Sequence, residues 1–171
     1  MLFRSSCKRS GPRHLRHSQL NDIIWRSIKR AQIPAIKEPS GLLCQDNKRP
    51  DGATLLPWRR GRPLAWDVTV PDTYAESHIQ RTSTEAGSAA NHAAAAKTTK
   101  YLSLQDTHLS TPVAIETGGA WNSSAIELVQ VIGRRITAVT QDPKETVYLF
   151  QRLSIAIQRG NAVSFRNTFD I

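Results

Sequence analysis

The sequence predicts an α/β fold: a small mixed central sheet flanked by helices, with two further helices closing the chain. Three observations point there. Two short runs of β-branched and aromatic residues end abruptly at Pro or Gly, as buried strands do. Between them lies an alanine-rich stretch without proline, a helix on intrinsic propensity. Before and after them, apolar residues recur at a spacing of three and four. Helix, strands, helix, strand, helices is the order of an α/β domain.

Taken in order, Leu20, Ile23, Ile24 and Ile28 make an apolar stripe over 18–31, with Arg26, Lys29 and Arg30 on the other side. Ser18 is the expected N-cap, and Pro34 stops the helix. A short extended piece at 35–38 precedes a loop rich in turn formers. A short apolar strand is expected at 54–57, and Arg59, Arg60, Gly61 and Arg62 read as a basic hairpin turn. The best strand is 64–70, interrupted by one polar residue, Asp67. A helix is expected over 84–104, its alanines small enough to pack close to a sheet. Pro112 to Thr117 reads as a second buried strand, ended by Gly118 and Gly119. Two amphipathic helices follow, 123–139 and 143–159, the second capped by Asp142 with Pro143 in its first turn.

At 171 residues and 39% hydrophobic content, the chain fits one domain with a real core. With a mean hydropathy of −0.40 it has no apolar run near the ~20 residues of a membrane span, which argues against an integral membrane protein. Two cysteines cannot frame a disulfide scaffold and fit a reducing compartment. Lys and Arg outnumber Asp and Glu by 23 to 14, a net charge of +9, so a polyanion is the expected partner, nucleic acid before a membrane surface.

The chemistry concentrates in Asp51, Asp67, Lys97, Lys100 and Tyr101. A hairpin turning at 59–62 brings Asp51 and Asp67 to the same end of the sheet. Converging carboxylates repel, and a hard divalent cation such as Mg²⁺ or Mn²⁺ relieves the repulsion, with the Val68 carbonyl as a third oxygen. A lysine beside them neutralises charge building on a phosphate. Each residue also has an ordinary reading: Pro-Asp is a common turn pair, and Lys97 and Lys100 suit a solvated helix face. Asp67 is harder to explain that way, because an unpaired buried carboxylate is costly. Glu38 and Glu116 are candidate additional acids, each equally readable as a surface or strand-end carboxylate. Arg59, Arg60 and Arg62 form a basic tip suited to nucleic-acid phosphates.

The segments Lys48-Arg49-Pro50-Asp51, Trp66-Asp67-Val68-Thr69 and Lys97-Thr98-Thr99-Lys100-Tyr101 resemble the restriction-like endonuclease domain of site-specific non-LTR retrotransposons, within the PD-(D/E)xK superfamily. Arg16-His17 before Leu20-Asn21-Asp22, Phe150 to Ser154 and Ile157 to Asn161 extend the resemblance from about Cys7 onward. The resemblance implies a restriction-endonuclease-like core and Mg²⁺-dependent cleavage of DNA, with Asp51 and Asp67 as metal ligands beside a Lys-to-Tyr helix. Thr69 stands where the family pattern carries a lysine, so Lys97 or Lys100 is expected in that role. In relatives a zinc knuckle precedes this domain. Cys7, His14 and His17 are too few to rebuild it, so no zinc is expected.

The expected organisation is a disordered basic arm at 1–17 left from a truncated knuckle, an endonuclease-like domain at 18–161 and a tail at 162–171. DNA is the expected partner, with RNA and a second copy of the chain as further ones, after an origin joined to a reverse transcriptase. A nuclear location follows from the resemblance, and the Arg- and Ser-rich start makes a mitochondrial one the alternative. The rival expectation is a catalytically inactive, basic nucleic-acid-binding remnant of the same fold.

Overall fold

The computed structural model describes residues 11–42 and 49–169. Cys7, Cys44 and Lys48 therefore lie outside the described residues. Within them the chain forms α1 (Gly11–Arg30), β1 (Ala35–Lys37), β2 (Gly52–Thr54), β3 (Leu64–Thr69), α2 (Ile79–Thr82), α3 (Ser88–Lys100), β4 (Leu109–Ala114), α4 (Ser123–Thr140) and α5 (Glu145–Phe169). The class is mixed α/β, a four-stranded sheet in the order β1-β2-β3-β4. The first three strands pair antiparallel, and β3 and β4 run parallel through α3 as the crossover.

Alternation along the inner strands divides the core between the two faces of the sheet. Leu64, Trp66 and Val68 of β3 and Val113 of β4 join Leu20, Ile24 and Ile28 of α1, Val129, Ile132 and Ile136 of α4, and Leu149, Leu153 and Ile157 of α5. On the other face Ala114 meets Ala90 and Ala94 of α3. Each large side chain so buried contributes roughly 1.5–3 kcal/mol. Alanine contacts bring α3 close to the strands, as its composition predicts. The three large helices are pinned by polar contacts as well. Arg30 grips the buried Glu145 carboxylate with two N–H groups at 2.9 and 2.5 Å, tying α1 to α5.

Several boundaries differ from the sequence reading. The first helix begins at Gly11, so part of the expected basic arm is helical, and the Ser18 hydroxyl donates to the Leu15 carbonyl inside the helix instead of capping it. The short strand starts at Gly52, and Leu55 and Leu56 are exposed. The fourth strand runs from Leu109 to Ala114, so it starts before Pro112 and ends before Glu116. The expected helix over 84–104 breaks into α3 and a short 3-10 turn at Leu102–Leu104, with α2 before it. The last helix runs through the expected tail to Phe169, and its buried stripe uses Leu149 while Val147 is exposed.

Candidate active site

The site begins where the β2–β3 ladder ends. Gly52 pairs with Trp66, and the indole ring lies across that glycine so closely that a Cβ there would come within 2.0 Å of the ring. Asp51, one residue earlier, no longer pairs through its backbone with β3; its Oδ2 instead accepts the Val68 N–H at 2.6 Å. The Asp51 carbonyl accepts the Glu38 N–H and the Asn21 amide, both at 3.1 Å. Asn21 in turn accepts the Trp66 indole N–H at 2.8 Å. His17, one helical turn before Asn21 on the same side of α1, places Nε2 2.9 Å from Asp51 Oδ2. The Asp51 hydrogen bond raises the His17 pKa above its ordinary value near 6.5, against the opposing effect of burial.

Asp67 lies on the α3 face of the same strand and is only 5% exposed. Lys97 and Tyr101, four residues apart and so on one side of the helix, both reach it. The Tyr101 hydroxyl stands 3.0 Å from Asp67 Oδ1 and 2.8 Å from the Arg49 carbonyl, sharing one proton between two acceptors. Burial first, and then the Asp67 charge, push the Tyr101 pKa upward, so the phenol stays neutral and donates. Lys97 forms an ion pair with Asp67 Oδ2. Both Asp67 carboxylate oxygens therefore have a partner from the end of α3, the phenol on Oδ1 and the ammonium on Oδ2.

Asp51 and Asp67 both lie near enough to Tyr101 for their charges to raise its pKa, and of the two lysines it is Lys97 that pairs with Asp67. Lys100 is exposed, with its ammonium 4.7 Å from the centre of the Tyr101 ring. Glu38 contributes its backbone N–H beside Asp51, and its side chain is exposed. Glu116 is elsewhere. It is 1% exposed at the other end of α3, where Oε1 accepts the Ala89 and Ala90 N–H groups at 3.0 and 3.1 Å and Oε2 accepts the Thr73 hydroxyl. Its chemistry is that of a helix cap. The side chain of Val68 is buried in the core, and its N–H is committed to Asp51.

Two carboxylates and a backbone carbonyl are the oxygen donors a hard divalent cation takes, and here the Lys97 ammonium occupies Asp67 Oδ2. Among the described residues no three His, Cys, Asp or Glu side chains gather as a metal-ligating group.

Arg59, Arg60 and Arg62 occupy the hairpin tip, where Arg60 and Gly61 take φ values of 51° and 72° and the Arg62 N–H donates to the Arg59 carbonyl. Positive φ at both central residues is the hairpin geometry that matches strand twist. The tip lies at the start of β3, away from Asp67.

Two residues of the site, His17 and Asn21, are missing from the sequence-based candidates. Their i,i+4 spacing on α1 was visible, but only the fold reveals that this side of the helix meets Asp51. Compared with protein-family models and with curated proteins, the chain matches none.

Proposed function

We propose that the chain is a metal-dependent DNA endonuclease domain with a restriction-endonuclease-like core, hydrolysing phosphodiester bonds to nick DNA. The observation that carries this reading is the Asp51–Asp67 pair at one sheet end, with the Lys97 ammonium against Asp67. Asp51 and Asp67 would hold Mg²⁺ or Mn²⁺, assisted by the Val68 carbonyl. When bound, the ion supplies Lewis-acid charge to a phosphate oxygen and acidifies a water.

The chain's own groups supply the rest. Lys97 places positive charge where a five-coordinate phosphate gains negative charge. The Tyr101 hydroxyl orients the Asp67 carboxylate, and His17 with the Val68 N–H does the same for Asp51. Tyr101, His17 and Asn21 are positioning residues in this scheme. A retrotransposon origin beside a reverse transcriptase, a nuclear site of action and pairing with a second copy belong to the same proposal.

A specific observation favours the second reading, a non-cleaving nucleic-acid-binding remnant. Both acids already carry side-chain partners from the chain, His17 and Lys97. Plasmid nicking separates the two. The nuclease reading expects relaxed circles in Mg²⁺ or Mn²⁺, none in EDTA, and none from Asp51→Ala/Asp67→Asn. DNA binding by a folded protein without nicking in either metal would overturn it in favour of the remnant.

A further inference from the structure

A cluster of arginines lies away from the acids. A cleft of about 820 Å³ opens between the hairpin tip and α4, where Arg59, Arg60, Arg62, Arg134 and Arg135 face a single carboxylate, Glu127. Two of the five arginines build the cleft. Arg62 donates to the Gln105 carbonyl at 2.6 Å, and Arg135 donates to the Trp58 carbonyl at 2.7 Å while its guanidinium stacks 3.8 Å from the centre of the Trp58 ring. They pin the hairpin to the 3-10 turn and to α4. Arg59, Arg60 and Arg134 are left exposed, and the nearest acid to Arg59, Glu127, is 4.0 Å away.

We propose that this cleft is a second nucleic-acid contact, gripping the phosphodiester backbone through Arg59, Arg60 and Arg134. Like charges gathered this way repel one another unless a polyanion neutralises them, and guanidinium forks match phosphate oxygens. The cations are spread along two walls instead of converging on one point, which suits a chain of phosphates better than one. The surface is concave, so a strand enters it where a flat bilayer does not. Ser110 and Thr111 also line the cleft and add hydroxyl groups. Arg62 and Asp67 lie five residues apart along the chain, about 16 Å if extended throughout. A duplex touching both would therefore span about five base pairs at ~3.4 Å each. The inference rests on the nucleic-acid part of the proposed function and not on hydrolysis.

The test is fluorescence anisotropy of the full chain with a labelled duplex of about 20 base pairs, in EDTA, across a salt series. Arg59→Gln/Arg60→Asn/Arg134→Gln is compared with Lys144→Gln/Arg152→Gln/Arg166→Gln, which removes as many charges from α5 and the turn before it, outside the cleft. Asn at position 60 tolerates the positive φ.

The cleft variant is expected to bind about ten-fold more weakly near 0.1 M salt, with a log–log salt slope shallower by about 2 to 3; the α5 variant changes far less. Glu127→Gln is expected to bind two-fold or more tightly, a gain that a misfolded protein cannot imitate. Equal losses in the two triple variants would overturn the proposal. So would a cleft variant that loses affinity for phosphatidylserine vesicles but not for the duplex. Nicking is read separately: cleft-dependent binding without nicking removes the nuclease reading alone, and nicking with cleft-independent binding removes this one alone.

Discussion

The two ends of α3 each meet a buried carboxylate, and the two are treated differently. Glu116 at the N-terminus takes two backbone N–H groups and a hydroxyl, all neutral donors, at a helix end whose dipole favours negative charge. Asp67 at the C-terminus faces the unfavourable end of that dipole. It is held by a shared phenolic proton on one oxygen and an ammonium on the other. Glu116 is enclosed by neutral donors as a helix cap is. Asp67 is instead balanced by a cation at the end of α3 that also carries Tyr101. Burial alone does not separate the two, and the partners do.

Substitutions at the two acids should fail in opposite ways. Asp67→Asn is expected to lower metal-dependent nicking at least about 100-fold while the protein stays folded, read by plasmid nicking beside circular dichroism. Glu116→Ala should cost roughly 3 kcal/mol, because three buried donors lose their acceptor, and leave nicking per folded molecule nearly unchanged; urea denaturation measures it. If Glu116→Ala removed nicking from fully folded protein, the division drawn here would be wrong.

Smaller effects sharpen the comparison. Gly52→Ala forces the Trp66 ring away and should cost roughly 2–3 kcal/mol by urea denaturation. It also moves the residue next to Asp51, so it should lower both stability and nicking. Tyr101→Phe removes the donor shared by Asp67 and the Arg49 carbonyl. Its expected cost is about 1 kcal/mol, with a several-fold fall in nicking rate.

The smallest effect is a pH dependence at His17. Its folded pKa is raised, so the charged His17–Asp51 pair contributes fully below the unfolded value near 6.5, and that contribution is lost as pH rises through the higher folded value. His17 is partly exposed, which keeps the effect below about 1 kcal/mol. Thermal melts between pH 6 and 9 should show wild type losing more stability than His17→Gln over that window. Equal slopes would remove the pair as a contributor.

Much of this molecule is legible from residues alone. The apolar stripe of α1, the Trp66-to-Thr69 strand, the alanines of α3, the closing helices and the hairpin turn at Arg59 to Arg62 follow from periodicity, propensity and turn chemistry, all local properties of the chain. So does the candidacy of Asp67, because a carboxylate inside an apolar strand is conspicuous in sequence, whereas Asp51 and Lys97 stand out only through their order around it. Element ends are less legible. Thr54 belongs to a strand and Leu55 does not, since the pairing partner decides where a ladder stops. Nor does the sequence separate Lys97 from Lys100, or Asp67 from Glu116.

Those distinctions belong to the tertiary structure, for one physical reason. What a buried charge can do depends on which donors fill the space around it, and those donors come from residues distant in the chain: His17 and Asn21 of α1 for Asp51, Lys97 and Tyr101 of α3 for Asp67, Thr73 and the start of α3 for Glu116. Local pattern determined which groups are chemically capable. Packing decided which of them stand together, which are already satisfied, and which five arginines share one cleft.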